Sequence, residues 1–392
     1  VRYKSVNERG VFAREKTSLR SAEVMKNLPI VAISMGDPAG VGPEVCLKAV
    51  REASALKRCT PLIVGDMKTL RLHARKMRLP GRLVAVEAGS REEVLSALSK
   101  GTPVLDLANV AARDRVFGKV RAALGRAAAG YIERGVALVR AGVADALATG
   151  PIHKEALQKG GYRFPGHTEM LAHLLGAGRP VMMLVHGKIR IAHLSTHCSL
   201  REALGRVKRR RIVYVGRLLA EMLETLSRRP PRIAVAGLNP HAGENGLFGS
   251  EESREIAPAV RDLRAGGIDA SGPEPPDTVF AKLRGGLYDG VVAMYHDQGH
   301  IAGKMMAFRF GEGGRGAVRG VNVTLGLSIV RTSVEHGTGF EIAGRGVADE
   351  SSMVDALILA ARMTRAAARR GLAGKKIAGP FEEPAIFGYD QG

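Results

Sequence analysis

The chain has 392 residues, 45% of them hydrophobic and 25% charged, the composition of a globular protein long enough for one large domain or two lobes. Its three cysteines, Cys46, Cys59 and Cys198, have neither metal-knuckle nor CxxC spacing, which excludes a disulfide framework; with no span-length apolar stretch and no export signal read, a reduced, cytoplasmic setting is expected. The net charge of +21 admits an anionic substrate or a polyanion partner, but 4% aromatics and no tryptophan leave few stacking platforms for nucleic acid, and the basic clusters at Lys208–Arg211 and Arg362–Lys376 read as solvated helix faces.

Residues 1–24 mix Arg, Lys and Glu without apolar periodicity and are expected to form a disordered extension; Glu8, Glu15 and Glu23 argue against an acid-poor mitochondrial presequence. From Pro29 onward, apolar runs of strand length alternate with helix-like stretches. The runs are Ile30–Ile33, Leu62–Val64, Leu83–Val86, Val181–Val185, Ile233–Ala236 and Val291–Met294; helical signals cover Pro43–Lys57, Val120–Arg140 and Arg201–Ser227. The alternation predicts an α/β fold with a largely parallel sheet, in two lobes that meet near Ala148-Thr149-Gly150-Pro151. The first lobe is expected to comprise 25–150 and about 290–392, the second 151–289. Gly311–Gly320 is the one long Gly/Arg-rich loop.

Ligands of open α/β sheets bind beyond the carboxyl ends of strands, so polar residues just after apolar runs are the ones to inspect. His197 follows Ile189–Thr196, His241 follows the run that begins at Ile233, and His296 follows Val291–Tyr295. Each imidazole is thereby expected on one rim. Neutral imidazole suits zinc and other first-row divalent ions, and three such ligands with open positions describe a catalytic site. Taken singly, each histidine reads better as a hydrogen-bonded structural residue, and the placement of all three after strands reverses that preference.

The segment Met35–Glu44 carries the first strand into the first helix, and its glycines fit either close approach to an anion or a tight turn; it holds neither a GxGxxG fingerprint nor a Walker lysine. His167, Thr168 and Glu169 follow another turn, where Thr168 or Glu169 is equally a helix cap. Lys304, Asn322 and Arg331 add two cations and an amide, with Arg331 closing the β-rich run Val321–Val330 and suited to bidentate phosphate or carboxylate recognition. The stretch Glu335–Asp349 reads as a loop that embraces a ligand.

Together, GDPAGVGPE, PGHTE, GLNPHAGENGLFG, YHDQGH and VNVTLGLSIVRTSVEHGTGFEIAG resemble, in order and from about Leu28 to Ala360, the 4-hydroxythreonine-4-phosphate dehydrogenase family of vitamin B6 biosynthesis. HGTGFEIAGRGVAD is also similar to the cofactor loop of isocitrate and isopropylmalate dehydrogenases. The resemblance implies their two-lobed fold, an interlobe cleft, and a homodimer in which both subunits contribute to each site, with the second lobe at the interface. It assigns metal ligation to His197, His241 and His296, substrate contacts to His167, Thr168, Lys304, Asn322 and Arg331, and cofactor contacts to His336, Gly337, Gly344 and Gly346. The implied chemistry is oxidation, with decarboxylation, of a small phosphorylated hydroxy acid by NAD or NADP with a divalent metal (zinc, magnesium or cobalt). Lys304 and Asp297 are the candidates for the proton-accepting group.

Three departures from the vitamin B6 enzymes are similar to a second branch acting on D-threonate or D-erythronate 4-phosphate: Asp37 in the first loop, Cys198-Ser199-Leu200 after His197, and His300-Ile301-Ala302-Gly303 before Lys304. A cis-dihydrodiol dehydrogenase of the same family is a further alternative. A phosphate acyltransferase, which shares the layout without a metal, is the remote one.

Overall fold

The computed structural model describes residues 28–370 apart from 53, 54, 56, 228 and 311–315. The expected extension at 1–24 and the first half of the Gly/Arg-rich loop therefore lie outside the described residues.

One 12-stranded sheet runs through the molecule in the order β3-β4-β2-β1-β5-β14-β13-β6-β7-β10-β8-β9. The half built first holds β1 (Ile30–Ser34), β2 (Thr60–Gly65), β3 (Leu83–Val86), β4 (Thr102–Asp106) and β5 (Ala146–Thr149), joined by β14 (Val330–Val334). The other half holds β6 (Val181–His186), β7 (Ile189–His193), β8 (Arg232–Ala236), β9 (Asp269–Glu274), β10 (Gly290–Ala293) and β13 (Val321–Leu325). Pairing is parallel except around β13, which runs antiparallel to both β14 and β6, and in the β6–β7 hairpin. A separate hairpin is formed by β11 (Phe308–Phe310) and β12 (Gly316–Val318). All five residues of β1 are buried, as a strand covered on both faces requires.

β10 lies between β7 and β8, and β13 pairs with β6, so the segment about 290–325 adds its strands to the second half of the sheet. Three expectations are corrected. The first helix spans Gly42–Ala49 rather than reaching Lys57. Arg201–Ser227 is two helices, Leu200–Gly205 and Arg209–Leu226; Ser199 and Glu202 close a capping box on the first, and Glu255 accepts the Arg209 amide at 2.7 Å to start the second. Val321–Val330 is a hairpin turned at Gly326 (φ +82°), so Arg331 sits inside β14 instead of closing a run.

The basic cluster at Lys208–Arg211 is tied to the fold, while residues 371–376 of the second cluster lie outside the described residues. Lys208 pairs with Glu255, Arg209 forks onto Asp262, and Arg211 donates to the carbonyls of Leu194 and Arg179. No helix among the described residues is long and apolar enough to cross a membrane.

Candidate active site

Strands β7, β10 and β8 are adjacent and parallel, so their carboxyl ends share one edge. His197, His241 and His296 follow those three strands, which places them along that rim. Their local settings differ. His296 opens the helix His296–Ala307, and its Nδ1 lies 2.7 Å from Asp297 Oδ1. With the proton on Nδ1, the ring donates to the carboxylate and keeps the Nε2 lone pair for a ligand. Asp297, named from sequence as a proton acceptor, is thus placed as the partner that orients His296. The His197 ring is centred 5.8 Å from that of His296. Desolvation and the Lys154 cation hold the His197 pKa below its ordinary value, favouring the neutral, metal-ready imidazole.

His241 is exposed and stands apart, within Pro240–Gly246. His241, Ala242, Glu244 and Asn245 all have positive φ, between 41° and 56°, with Gly243 at 82° between them. A run of left-handed residues that carry Cβ atoms costs on the order of 1–2 kcal/mol each. The buried carboxylate of Glu252 anchors its base, accepting the amides of Leu238 and Asn239 at 2.8 Å and the Asn239 side-chain amide at 2.9 Å. Among the described residues of one chain, no three of His, Cys, Asp and Glu lie close enough to hold a metal.

Behind His296 the sequence reading missed two imidazoles. His300, one helical turn on, stacks on it with centroids 3.9 Å apart and planes 8° from parallel, and donates from Nδ1 to the His296 carbonyl at 3.1 Å. His193, at the end of β7, packs 4.5 Å from His300. Burial lowers the His300 pKa to about 4 and that of His193 to about 3, so both are neutral at pH 7. His296, His300 and Lys304 recur at four-residue intervals and share one helix face, the one signal that could have pointed to His300.

The expected substrate residues gather around the middle of the sheet. Arg331 is buried on β14 and donates to Thr324 at 2.9 Å and Thr149 at 2.6 Å, while its Nε has no partner. Burial lowers its pKa to about 9 against the opposing pull of Glu169, leaving a cation at neutral pH with no carboxylate bonded to it among the described residues. His167 carries a buried, unpartnered Nε2, and burial together with Arg331 holds its pKa well below the usual value. Thr168 lies beside it in the helix His167–Leu175, whose N-cap Gly166 makes no side-chain bond, so neither Thr168 nor Glu169 is the cap. Asn322 has a buried, unpartnered Oδ1 on β13. Burial raises the pKa of Glu335, which faces the Lys304 charge. A buried cation and a set of unpartnered polar atoms are groups that an anion with hydroxyls can satisfy.

The loop Met35–Val41 does not take that role. Its amides are engaged by protein: Asp37 N by the Pro151 carbonyl at 2.9 Å, Ala39 N by Asp37 Oδ1 at 2.9 Å, and Val41 N by the Thr338 carbonyl at 2.8 Å. A Cβ on Gly42 would stand 2.2 Å from the Met35 carbonyl oxygen. These glycines form a tight turn packed on Thr338–Phe340. In the expected cofactor loop, His336 has a buried, unpartnered Nε2 and Gly337 has open space around its Cβ position, whereas Gly344 packs on Phe117 and Gly346 has its amide and carbonyl engaged by Glu44 and Lys48.

The sequence matches the family described as pyridoxal phosphate biosynthetic protein PdxA over residues 57–360. A D-threonate 4-phosphate dehydrogenase of Cupriavidus necator is 45% identical over 335 residues, 84% of this chain and 96% of that protein. The crystal structure of 4-hydroxythreonine-4-phosphate dehydrogenase from Klebsiella pneumoniae matches with a TM-score of 0.74 at 40% identity, covering 86% of this chain and 99% of that one. A terephthalate 1,2-cis-dihydrodiol dehydrogenase from Burkholderia xenovorans matches at 0.59 and 30%, covering 86% and 98%. With the match spanning both halves of the sheet and the rim that carries the histidines, the chain belongs to the PdxA family.

Proposed function

We propose that the protein is a nicotinamide- and divalent-metal-dependent dehydrogenase of a four-carbon phosphorylated hydroxy acid, with D-threonate 4-phosphate as the substrate of choice. The observation that carries this reading is Arg331, a buried cation held by two threonine hydroxyls and no carboxylate, in the same half-buried region as His167 and Asn322. The relative named for D-threonate 4-phosphate, together with Asp37 and His300, supports the choice of substrate. The structures named for 4-hydroxythreonine 4-phosphate, at 40% and 42% identity, support that compound as the second reading.

The donor set fits a metal in part. His197 and His296 are neighbours and His296 has its Nδ1 satisfied, so these two would hold the ion, with a third ligand, His241, supplied by a second copy of the chain. When bound, such an ion polarises substrate oxygens and the nicotinamide accepts hydride. The chain's own residues supply the rest. Arg331 would bind the anionic group with His167 beside it, Asn322 would donate or accept at a hydroxyl, and Lys304, on the His296 face of its helix, would accept the hydroxyl proton as its neutral amine.

We place the third ligand across an interface between two copies of the chain. All three histidine-bearing segments carry exposed apolar side chains: Leu200 and Leu204 after His197, Leu247 and Phe248 after His241, and Ile301 and Met305 on the His296 helix. Met305 is 80% exposed and Leu247 72%, which is costly to leave in water in a monomer.

A cofactor-reduction assay on metal-loaded protein tests the proposal, with D-threonate, D-erythronate and 4-hydroxythreonine 4-phosphates as substrates and NAD and NADP as acceptors. D-threonate 4-phosphate is expected to give the highest kcat/KM, abolished by a chelator; sedimentation is expected to show a dimer. Turnover that survives the chelator, or no reduction with any of the three, overturns it.

A further inference from the structure

Glu44 and Lys48 lie one turn apart on the Gly42–Ala49 helix, and Glu44 is fully buried. Nothing in the chemistry described so far uses them. Glu44 Oε1 accepts the Ala348 amide at 2.8 Å and Oε2 the Gly346 amide at 3.2 Å. Lys48 Nζ donates to the carbonyls of Gly346 at 3.0 Å and Ala348 at 2.6 Å, and to Glu44 Oε1 at 2.9 Å. The ammonium thus has three acceptors for its three protons, and one ion pair engages the amide and carbonyl of both residues flanking Val347. A sequence separation of about 300 residues is closed at this point.

The same short segment holds the front of the loop. Val41 donates to the Thr338 carbonyl, and a Cβ on Gly40 would stand 2.7 Å from that oxygen. Between the two anchors, Phe340 stacks on His153 at 4.7 Å and Gly344 lies against Phe117. What remains outward is an arc of Gly337, Glu341, Arg345 and Val347, all exposed.

We infer that the Glu44–Lys48 pair is a positioning device for the nicotinamide-cofactor loop 336–349, acting on cofactor affinity through the backbone of Gly346 and Ala348. The inference rests on the reading of that stretch as the cofactor loop. A buried ion pair gains little stability over packed apolar side chains, so its value lies in the path it imposes on the chain it bonds. A loop already held in its binding shape loses less conformational entropy when the ligand arrives.

The test uses the full chain with Lys48→Met, Lys48→Arg and Lys48→Gln, the last covering the case in which the apolar variant does not fold. Binding is read from the fluorescence of the reduced nicotinamide cofactor, and local order from amide exchange. Lys48→Met is expected to weaken cofactor binding about tenfold and raise its KM alike, with the KM for the phosphorylated acid and kcat within about twofold. Exchange at Gly346 and Ala348 should accelerate, and Lys48→Arg, which can still reach both carbonyls, should restore most of the affinity. Gly337→Val, on the outward arc, separates the two readings. If it weakens cofactor binding while Lys48→Met and Lys48→Gln speed exchange and leave affinity unchanged, the positioning role falls and the loop assignment stands. If no variant alters affinity, the loop assignment falls and takes the inference with it. Unchanged exchange at Gly346 and Ala348 also overturns it.

Discussion

Two loops, each leaving the carboxyl end of a strand in the same sheet, meet their geometric demands in opposite ways. The loop after β1, Met35–Val41, is buried throughout; its left-handed position is a glycine, Gly36 at φ +75°, and its amides bond to other parts of the chain. The loop after β8 is largely exposed from His241 to Phe248, and four of its left-handed positions carry side chains. The first is shaped by what the residue types allow. The second holds a shape its residues disfavour, with Glu252 fixing its base, and it presents one of the three rim histidines. Strain kept in an exposed, histidine-bearing loop is the pattern expected where backbone shape serves a ligand or a partner subunit.

The difference predicts that the first loop fails by unfolding and the second by losing function. Gly36→Ala is expected to have the largest effect on stability, on the order of 3–5 kcal/mol, because its Cβ would fall 2.4 Å from the Pro151 carbonyl oxygen at a φ disfavoured for alanine. Denaturant unfolding measures it, and a stability within 1 kcal/mol of the parent, roughly the effect of an ordinary surface change, would remove the claim that this loop is a packed turn. His241→Ala should leave the unfolding midpoint almost unmoved, since the side chain is exposed, while cutting cofactor reduction by about a hundredfold or more and weakening cobalt or zinc binding in a chelator competition. Parent-like turnover in that variant places the metal elsewhere.

The same contrast explains what could be read without coordinates. Strands β1, β8 and β10 match the expected runs to within one residue because buried parallel strands are continuous apolar runs; β3 matches to the residue although it is a half-exposed edge strand, because Leu83–Val86 is apolar throughout. The rim position of the three histidines followed from chain order, since each comes directly after such a run. The break at Gly205–Lys208 was hidden because the apolar period resumes after it, and the membership of β10 and β13 in the second half was hidden because strand order is a long-range property. The left-handed turn at His241 was illegible for a stronger reason: Ala242 and Glu244 do not announce positive φ, and the carboxylate that holds the turn, Glu252, lies more than ten residues downstream. Thr149 and Thr324 were equally silent as partners of Arg331, meeting it only through sheet pairing.

A third expectation concerns acidity in the buried loop. Burial raises the pKa of Asp37 from 3.8 to about 6, and its Oδ2 has no partner. The folded protein therefore binds this proton more tightly than the unfolded chain, so the contribution is complete below pH 4 and lost as pH rises through about 6. Asp37→Asn keeps an acceptor for the Ala39 amide and removes the ionisation. Relative to the parent it should gain about 1 kcal/mol between pH 5 and pH 7.5 in urea unfolding. An equal difference between variant and parent at the two pH values means that the carboxylate is not desolvated.

The smallest effect probes the strained loop itself. Ala242 sits at φ 55° without being a metal-ligand candidate, and a Cβ on Gly237 would stand 3.0 Å from the Ala242 Cβ. Ala242→Gly removes the steric penalty of the left-handed conformation but adds freedom to the unfolded chain, two terms of similar size and opposite sign. Because the neighbouring left-handed residues and the Glu252 anchor hold the turn in the folded protein, the first term should prevail, and a gain of about 0.5 kcal/mol is expected. Activity separates shape from strain. If the turn merely aims His241, the glycine variant should turn over at the parental rate with a slightly higher unfolding midpoint. If the alanine Cβ is needed to keep the turn from relaxing, activity falls while stability rises, and the strain itself holds the imidazole on the rim.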